Sequence, residues 1–296
     1  MAPSVEKTQC VVKRLGNPTS MHMGSIHNLL GPSSHHMIVY RVNDTAEVTT
    51  PFDCKPFTDA LNPAKGSPLI VTQKKDDLLT LPQGVAYTLQ PNQMVRLEVH
   101  YINAGAAAVD LTASSTFSPI ADSAFQNEAD FLFIGNPDIT IQPNQTFTLG
   151  PTYFSLPADL AGSNFFAITG HEHQFGTNVK ISSAANANDT GTAIYDVPNW
   201  SWSEPKTQTF DPPVVLPAGG GFKFTCDWNN TSSNQVTFGE SANNEMCFFW
   251  AYYYPSKGAR VCFHSAQSPA PPSGIDFCCP GNNPTIQQVC AQLGAH

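Results

Sequence analysis

The chain has 296 residues, only 12% of them charged, and a net charge of −9 from 23 acidic and 14 basic side chains. An acidic balance with no Lys/Arg cluster argues against nucleic acid as a partner, and no apolar stretch approaches the roughly 20 residues that a bilayer-spanning helix needs. Twenty-five prolines, 20 glycines and many short Thr/Val/Phe/Tyr runs, without a long amphipathic helix, predict an all-β chain long enough for two domains.

The first residues, Met1-Ala2-Pro3-Ser4-Val5-Glu6-Lys7, lack the apolar core of a signal peptide, which predicts a mature domain behind an added start codon. Met21-His22-Met23, with His27, reads as a flexible surface loop in preference to an extra metal site. Next comes Gly31-Pro32-Ser33-Ser34, which has turn chemistry. A turn is needed here, because neighbours in a regular strand point to opposite faces, and His35 and His36 are neighbours. The expectation is that His35 sits at the strand entrance and His36 begins the strand Met37–Val42. In Val95–Tyr101 apolar residues alternate with Arg96, Glu98 and His100, which predicts a solvent-facing His100 with Glu98 either tuning it or pairing with Arg96.

Leu89-Gln90-Pro91-Asn92-Gln93 and Ile141-Gln142-Pro143-Asn144-Gln145 read as the same strand-to-turn punctuation in two places. A domain boundary is expected within Gly150–Pro157, giving domains 1–153 and 154–296. Beyond it, His171-Glu172-His173 presents two imidazoles on one face of a strand, with Thr169 on the same face. Met246 opens the aromatic run Met246–Tyr254, which reads as a buried strand with Phe248 and Trp250 on the face of Met246 and with Tyr252, Tyr253 and Tyr254 as packing.

Two donor sets emerge. His35, His36 and His100 form an all-imidazole trio suited to one-electron copper chemistry. His171, His173 and Met246 add a neutral thioether, a soft set that suits Cu(I) and disfavours zinc, calcium or magnesium. No nucleophile-histidine-carboxylate grouping and no phosphate loop competes with this reading, and His264 and His296 show no partner in the sequence.

Eight cysteines, without the short double pairs of a zinc ribbon, predict disulfides and a secreted or periplasmic setting. Cys262 is expected to join Cys278 or Cys279, and Cys290 the other, tying a tail from about residue 265. Asn144-Gln145-Thr146 and Asn230-Thr231-Ser232 are glycosylation sequons that would matter only in a glycosylating host.

With these residues laid out, the chain resembles the copper type II, ascorbate-dependent monooxygenases, the family of peptidylglycine α-hydroxylating monooxygenase and dopamine β-monooxygenase. His35-His36-Met37 resembles the family's His-His-Met motif, Val99-His100-Tyr101 its isolated third histidine, His171-Glu172-His173 its His-X-His motif, and Glu245-Met246-Cys247 its Glu-Met-Cys motif.

The resemblance implies two tandem antiparallel jelly-roll β-sandwiches facing an interdomain cleft. It implies an electron-transfer copper on the first trio and an oxygen-activating copper on the second, with ascorbate as reductant and O2 as co-substrate. It also implies the disulfides Cys10–Cys54 and Cys226–Cys247.

Substrate is where the chain departs from the peptide enzyme. The positions matching Thr169, Phe248 and Trp250 there carry an arginine, an asparagine and a tyrosine that hold a peptide carboxylate. Without a bidentate cation a carboxylate is poorly compensated, so these three residues point to a small apolar, aromatic or amine-bearing substrate. A copper carrier without turnover and a true peptidylglycine α-hydroxylase are the alternatives.

Overall fold

The structure, a computed structural model, describes residues 2–55, 65–267, 274–281 and 284–293. Among the described residues the chain is built mainly from short strands, with one α-helix, Pro284–Leu293. No helix among them is long and apolar enough to cross a membrane. The chain divides into two compact units, Met1–Phe131 with Tyr254–Ala259 and Gln288–His296, and Leu132–Tyr253 with Arg260–Gln287. The division falls at Phe131/Leu132, earlier than the boundary expected at 153/154. That expected boundary lies inside the strand Gln145–Ser155, which pairs with Gly221–Asn230 on both sides of an irregularity between Leu149 and Thr152 and so belongs wholly to the second unit.

The first unit holds two sheets. One runs, edge to edge, Val48–Asp53, Val5–Arg14, Met94–Asn103, Ser34–Val42 and Gly66–Thr72. Met37, Ile38, Val39 and Tyr40 are all buried, because their strand is flanked on both sides and covered on both faces. The other sheet runs Asn127–Glu128, Val85–Leu89, Met21–Leu30 and Asp76–Thr80, and Ala113–Ile120 also pairs with Met21–Leu30. Polar clamps join the two sheets: Asn28 donates to Thr72 at 2.8 Å, and Arg41 donates to the Thr88 carbonyl and to Glu128, each at 2.7 Å.

The second unit is a six-stranded sheet, in the order Gln208–Val215, Asn164–His171, Phe248–Tyr254, Asp130–Gly135, Arg260–Ser265 and Ile275–Cys279, together with a four-stranded sheet of Gln145–Ser155, Gly221–Asn230, Gly176–Ala184 and Thr192–Asp196. Phe165, Ile168, Phe249, Ala251 and Tyr253 of the larger sheet share one core with Val179, Ile181, Phe222, Phe224 and Trp228 of the smaller. Edge-to-face contacts of Phe222 with Phe165 (5.1 Å) and Phe249 (5.2 Å) mark where the sheets meet.

The repeated Gln-Pro-Asn-Gln segments build the same bend in both units. Asn92 (φ 54°) and Asn144 (φ 53°) each adopt the left-handed conformation that an asparagine tolerates after a turn proline. Cys10–Cys54, Cys226–Cys247 and Cys262–Cys278 are bridged, and Cys279 and Cys290 are disulfide-bonded as well. From residue 265 onward the chain adds an edge strand to the larger sheet, paired residue for residue with Arg260–Ser265.

Candidate metal centres

The strand Met94–Asn103 lies between Val5–Arg14 and Ser34–Val42, with Thr8 opposite His100 on one side and His36 opposite it on the other. On the second side the register slips between Ser34 and His36, so His35 is an extra residue in its strand. The sequence predicts a turn to re-aim one histidine. The structure instead places both inside the strand Ser34–Val42, and the irregularity does the re-aiming. Ser33, at φ 61°, forms the bend just before it, and Lys75 donates to the Ser34 carbonyl at 2.8 Å.

The result is a cluster in which His35, His36 and His100 each offer a ring nitrogen within 4.8 Å of the others. Their ring centroids are 5.4, 5.5 and 4.9 Å apart. Three neutral nitrogens converging at this separation fit a small first-row cation after sub-ångström side-chain adjustment. All three histidines are buried, which corrects the expectation of a solvent-facing His100. The alternation misleads because the polar side of this strand is itself covered. Glu98 is buried there too, and accepts from the Tyr40 hydroxyl at 2.9 Å, while Arg96 pairs with Asp44 at 3.4 Å. Burial pulls the His100 pKa down, opposed by Glu6, whose carboxylate lies 2.9 Å from His100 Nε2. Cys10, Cys54 and Glu98 also converge, but the bridge between the cysteines leaves no thiolate to bind a metal.

In the second unit the strand Asn164–His171 ends at the first histidine, and His173 stands in the turn that follows, its carbonyl accepting from Gly176 N–H at 2.9 Å. The two imidazoles do not share an extended strand as the spacing predicts, yet their centroids are only 5.1 Å apart, at 82°. His173 Nδ1 lies 3.1 Å from the Asn244 carbonyl oxygen, so it carries the proton and directs Nε2 outward. Met246 is buried and stands just before the strand Phe248–Tyr254.

Glu245 ties these segments together. Its Oε2 accepts from His173 N–H (2.8 Å), the Trp228 indole (2.8 Å) and Met246 N–H (3.3 Å), and its Oε1 accepts from Phe175 N–H (2.8 Å). Burial pushes Glu245 up to about 7 against the pull of these donors. Glu172, between the two histidines, is fully buried, and burial with the nearby Glu245 and Asp227 drives its pKa well above the ordinary carboxylate value. Gly176 is needed here, because a Cβ would stand 2.4 Å from the Glu172 carboxylate.

Of the residues singled out for substrate contact, Phe248 and Trp250 both stack on Phe133, at 4.9 and 6.4 Å. Thr169 is buried, with its hydroxyl 2.8 Å from that of Thr207. Phe248 is stacked on Phe133 (4.9 Å) and flanked by Phe238 and Phe263. Trp250 is buried with its ring 5.8 Å from His171, and its indole N–H has no hydrogen-bond partner among the described residues. Met21, His22 and Met23 belong to the strand Met21–Leu30, which corrects the surface-loop reading. His22 stacks on Phe125 at 3.8 Å and His27 pairs with Asp76 at 2.7 Å, so these two rings are committed to separate partners. His264 also gains a partner, Asp276, at 2.7 Å, whereas His296 lies outside the described residues.

The sequence marks Glu245 only as part of a motif and gives no sign of Glu6. Glu6 reaches His100 by strand pairing across most of the first unit, and no local pattern encodes such a contact.

Residues 127–270 match the copper type II ascorbate-dependent monooxygenase, C-terminal domain. The match covers that domain and not the first unit's trio. No curated protein matches the chain. Among solved structures, the infectious bursal disease virus VP2 subviral particle is similar over 86% of this chain and 78% of that one. At 9% identity and a TM-score of 0.22, that likeness carries no argument.

Proposed function

From a chain whose residues 127–270 carry the C-terminal domain of copper type II ascorbate-dependent monooxygenases, we propose a dicopper enzyme that hydroxylates an aliphatic C–H bond of a small organic, amine or peptide-like substrate. In this reading each unit is a jelly-roll sandwich, and the protein works in an oxidising, extracytoplasmic compartment, in keeping with its eight bridged cysteines. The observation that carries the reading is the convergence of His35, His36 and His100, residues from distant parts of the sequence, in a chain that also brings His171 and His173 together.

His35, His36 and His100 would hold one ion, and His171, His173 and Met246 the other. Bound copper would supply one-electron redox chemistry, with ascorbate as reductant and O2 from solution as co-substrate. The protein's own part is geometric. The Asn244 carbonyl fixes the His173 tautomer, Glu245 holds the His173 turn against the Met246 segment, and burial of both trios keeps bulk water from the ligating nitrogens. Trp250 is the best placed of the three substrate candidates, because it lies beside His171 and retains a donor to offer. Thr169 and Phe248 act behind it as packing.

The test is oxygen consumption by the copper-loaded protein with ascorbate, run against a panel of phenethylamines, apolar small molecules and a glycine-extended peptide, with mass spectrometry for a gain of one oxygen atom. Hydroxylation of any panel member supports the proposal. Tight copper binding with no substrate-dependent oxygen uptake across the panel leaves the carrier reading in its place.

A further inference from the structure

We propose that Glu6 is a positioning residue that sets the redox balance of the three-histidine group, holding it at a lower reduction potential than the His171/His173/Met246 group. This rests on the copper reading of both groups. Glu6 Oε1 lies 2.9 Å from His100 Nε2, with the histidine side chain 5% and the glutamate side chain 27% exposed. A carboxylate accepts but does not donate, so Nε2 carries the proton and Nδ1 is the atom left to face the cluster.

The contact follows from strand register. Thr8 lies opposite His100 and Glu6 opposite Ile102, so Glu6 meets His100 on the diagonal of an antiparallel pair. The same N-terminal strand is tied by Cys10–Cys54 to Val48–Asp53, and Cys10 is paired with Glu98, two residues from His100. Glu6 is therefore held in a fixed register.

An imidazole that donates to a carboxylate is a stronger base at its other nitrogen than one that donates to a neutral carbonyl. It stabilises the more highly charged metal state, Cu(II), relative to Cu(I). The second group contrasts on both counts: His173 is held by the neutral Asn244 carbonyl, and the third donor is a thioether, which favours Cu(I). The two groups thus differ in the direction that makes the three-histidine ion the better electron donor. Removing the Glu6 charge should narrow that difference.

The experiment is a redox titration of the fully copper-loaded protein followed by electron paramagnetic resonance, on the parent, Glu6→Gln and Glu6→Ala, with His36→Ala identifying the signal of the three-histidine ion. Glu6→Gln keeps an acceptor and removes only the charge. The expected result is a Cu(II) affinity about tenfold weaker at that group in both variants, within the 10- to 100-fold range usual for lost outer partners. With Cu(I) affinity little changed, the potential rises by about 60 mV, while nitrogen splitting, the other signal and the melting temperature of the metal-free protein stay as in the parent.

Parental potentials in both variants overturn the inference while the copper reading stands. So does an equal shift of both signals, which would mark a general structural disturbance. A parent that binds no copper at the three histidines overturns both together.

Discussion

The Glu245 carboxylate accepts the main-chain N–H of His173 at 2.8 Å, joining the residue before one candidate thioether ligand to the backbone of a candidate imidazole ligand. Four N–H groups converge on this one side chain, which is completely buried. The segments that carry the candidate ligands His173 and Met246 are therefore tied together through a carboxylate outside the proposed donor set.

Glu245→Gln must turn an amide N–H₂ toward at least one of those donors, and Glu245→Ala abandons all four. Each stranded buried donor costs about 1–3 kcal/mol, so the alanine variant should lose at least about 3 kcal/mol of stability in urea denaturation. In the proposed dicopper protein, copper per chain, measured by elemental analysis, should fall from two toward one, with the loss at the thioether group.

Met246→His replaces a soft neutral sulfur by a third imidazole. Copper content should stay near that of the parent, because nitrogen donors bind copper well, while ascorbate-driven hydroxylation should fall by tenfold or more. Full activity in that variant would remove the role given to the sulfur.

Gly135→Ala should be strongly destabilising although it touches no candidate ligand. A Cβ at this position would lie 1.9 Å from Phe248 Cδ1 and 2.2 Å from Cγ and Cε1, and the ring is held by Phe133 behind it. A buried stacked ring has little freedom to move, so a loss of about 3 kcal/mol is expected, read as a lower midpoint in denaturant.

The Tyr195 hydroxyl donates to the Lys206 carbonyl at 2.9 Å, and burial pushes its pKa from the usual 10.0 to about 12. A group whose pKa is raised on folding gives stability that is fully present below its unfolded pKa and lost as pH climbs through the folded one. Between pH 10 and 12 the chain should shed about 3 kcal/mol through this residue. In Tyr195→Phe the decline over that window should be smaller by that amount, as measured by denaturation at stepped pH.

Among the sequons of the chain, Asn144 and Asn230 differ in their access to modification. Asn144 is exposed, whereas Asn230 is fully buried and its amide donates to the Gln142 carbonyl at 3.0 Å and the Asn234 carbonyl at 2.8 Å. Secretion from a glycosylating host should give glycan at Asn144 and none at Asn230, as read by enzymatic deglycosylation and peptide mass spectrometry.

The β class and the paired histidines are legible in the sequence because both are local. Short β-rich runs between turn residues announce strands, and paired histidines announce a chelate. Alternation along Phe248–Tyr254 also holds, with Phe249, Ala251 and Tyr253 in the core. What fails is each inference that depends on what covers a strand. The polar stripe of Met94–Asn103 is buried, so His100 is not at the surface. Phe248 and Thr169 lie on the face of the sheet that alternation gives them, and there Phe248 is covered by Phe133 and the Thr169 hydroxyl meets that of Thr207, which the sequence does not show. The register slip at His35 is equally silent, because a β-irregularity has no required residue type here, and the preceding Gly-Pro-Ser-Ser masks it as an ordinary turn. The unit boundary is missed for a related reason: Gly150-Pro151 has the composition of a linker but lies within a strand whose pairing is interrupted locally and then resumes.

The strand bearing His100 is central in its sheet, and neither neighbour is adjacent to it in sequence. One comes from the start of the chain and the other from the segment that carries His35 and His36. Segments separated by such spans are brought together late, since loop closure must be met before these pairings yield any return. If the three histidines hold copper as proposed, its capture should serve as a clock for maturation of the first unit, occurring only when its last strands have zipped. A peptide excised around either histidine segment would lack the cage.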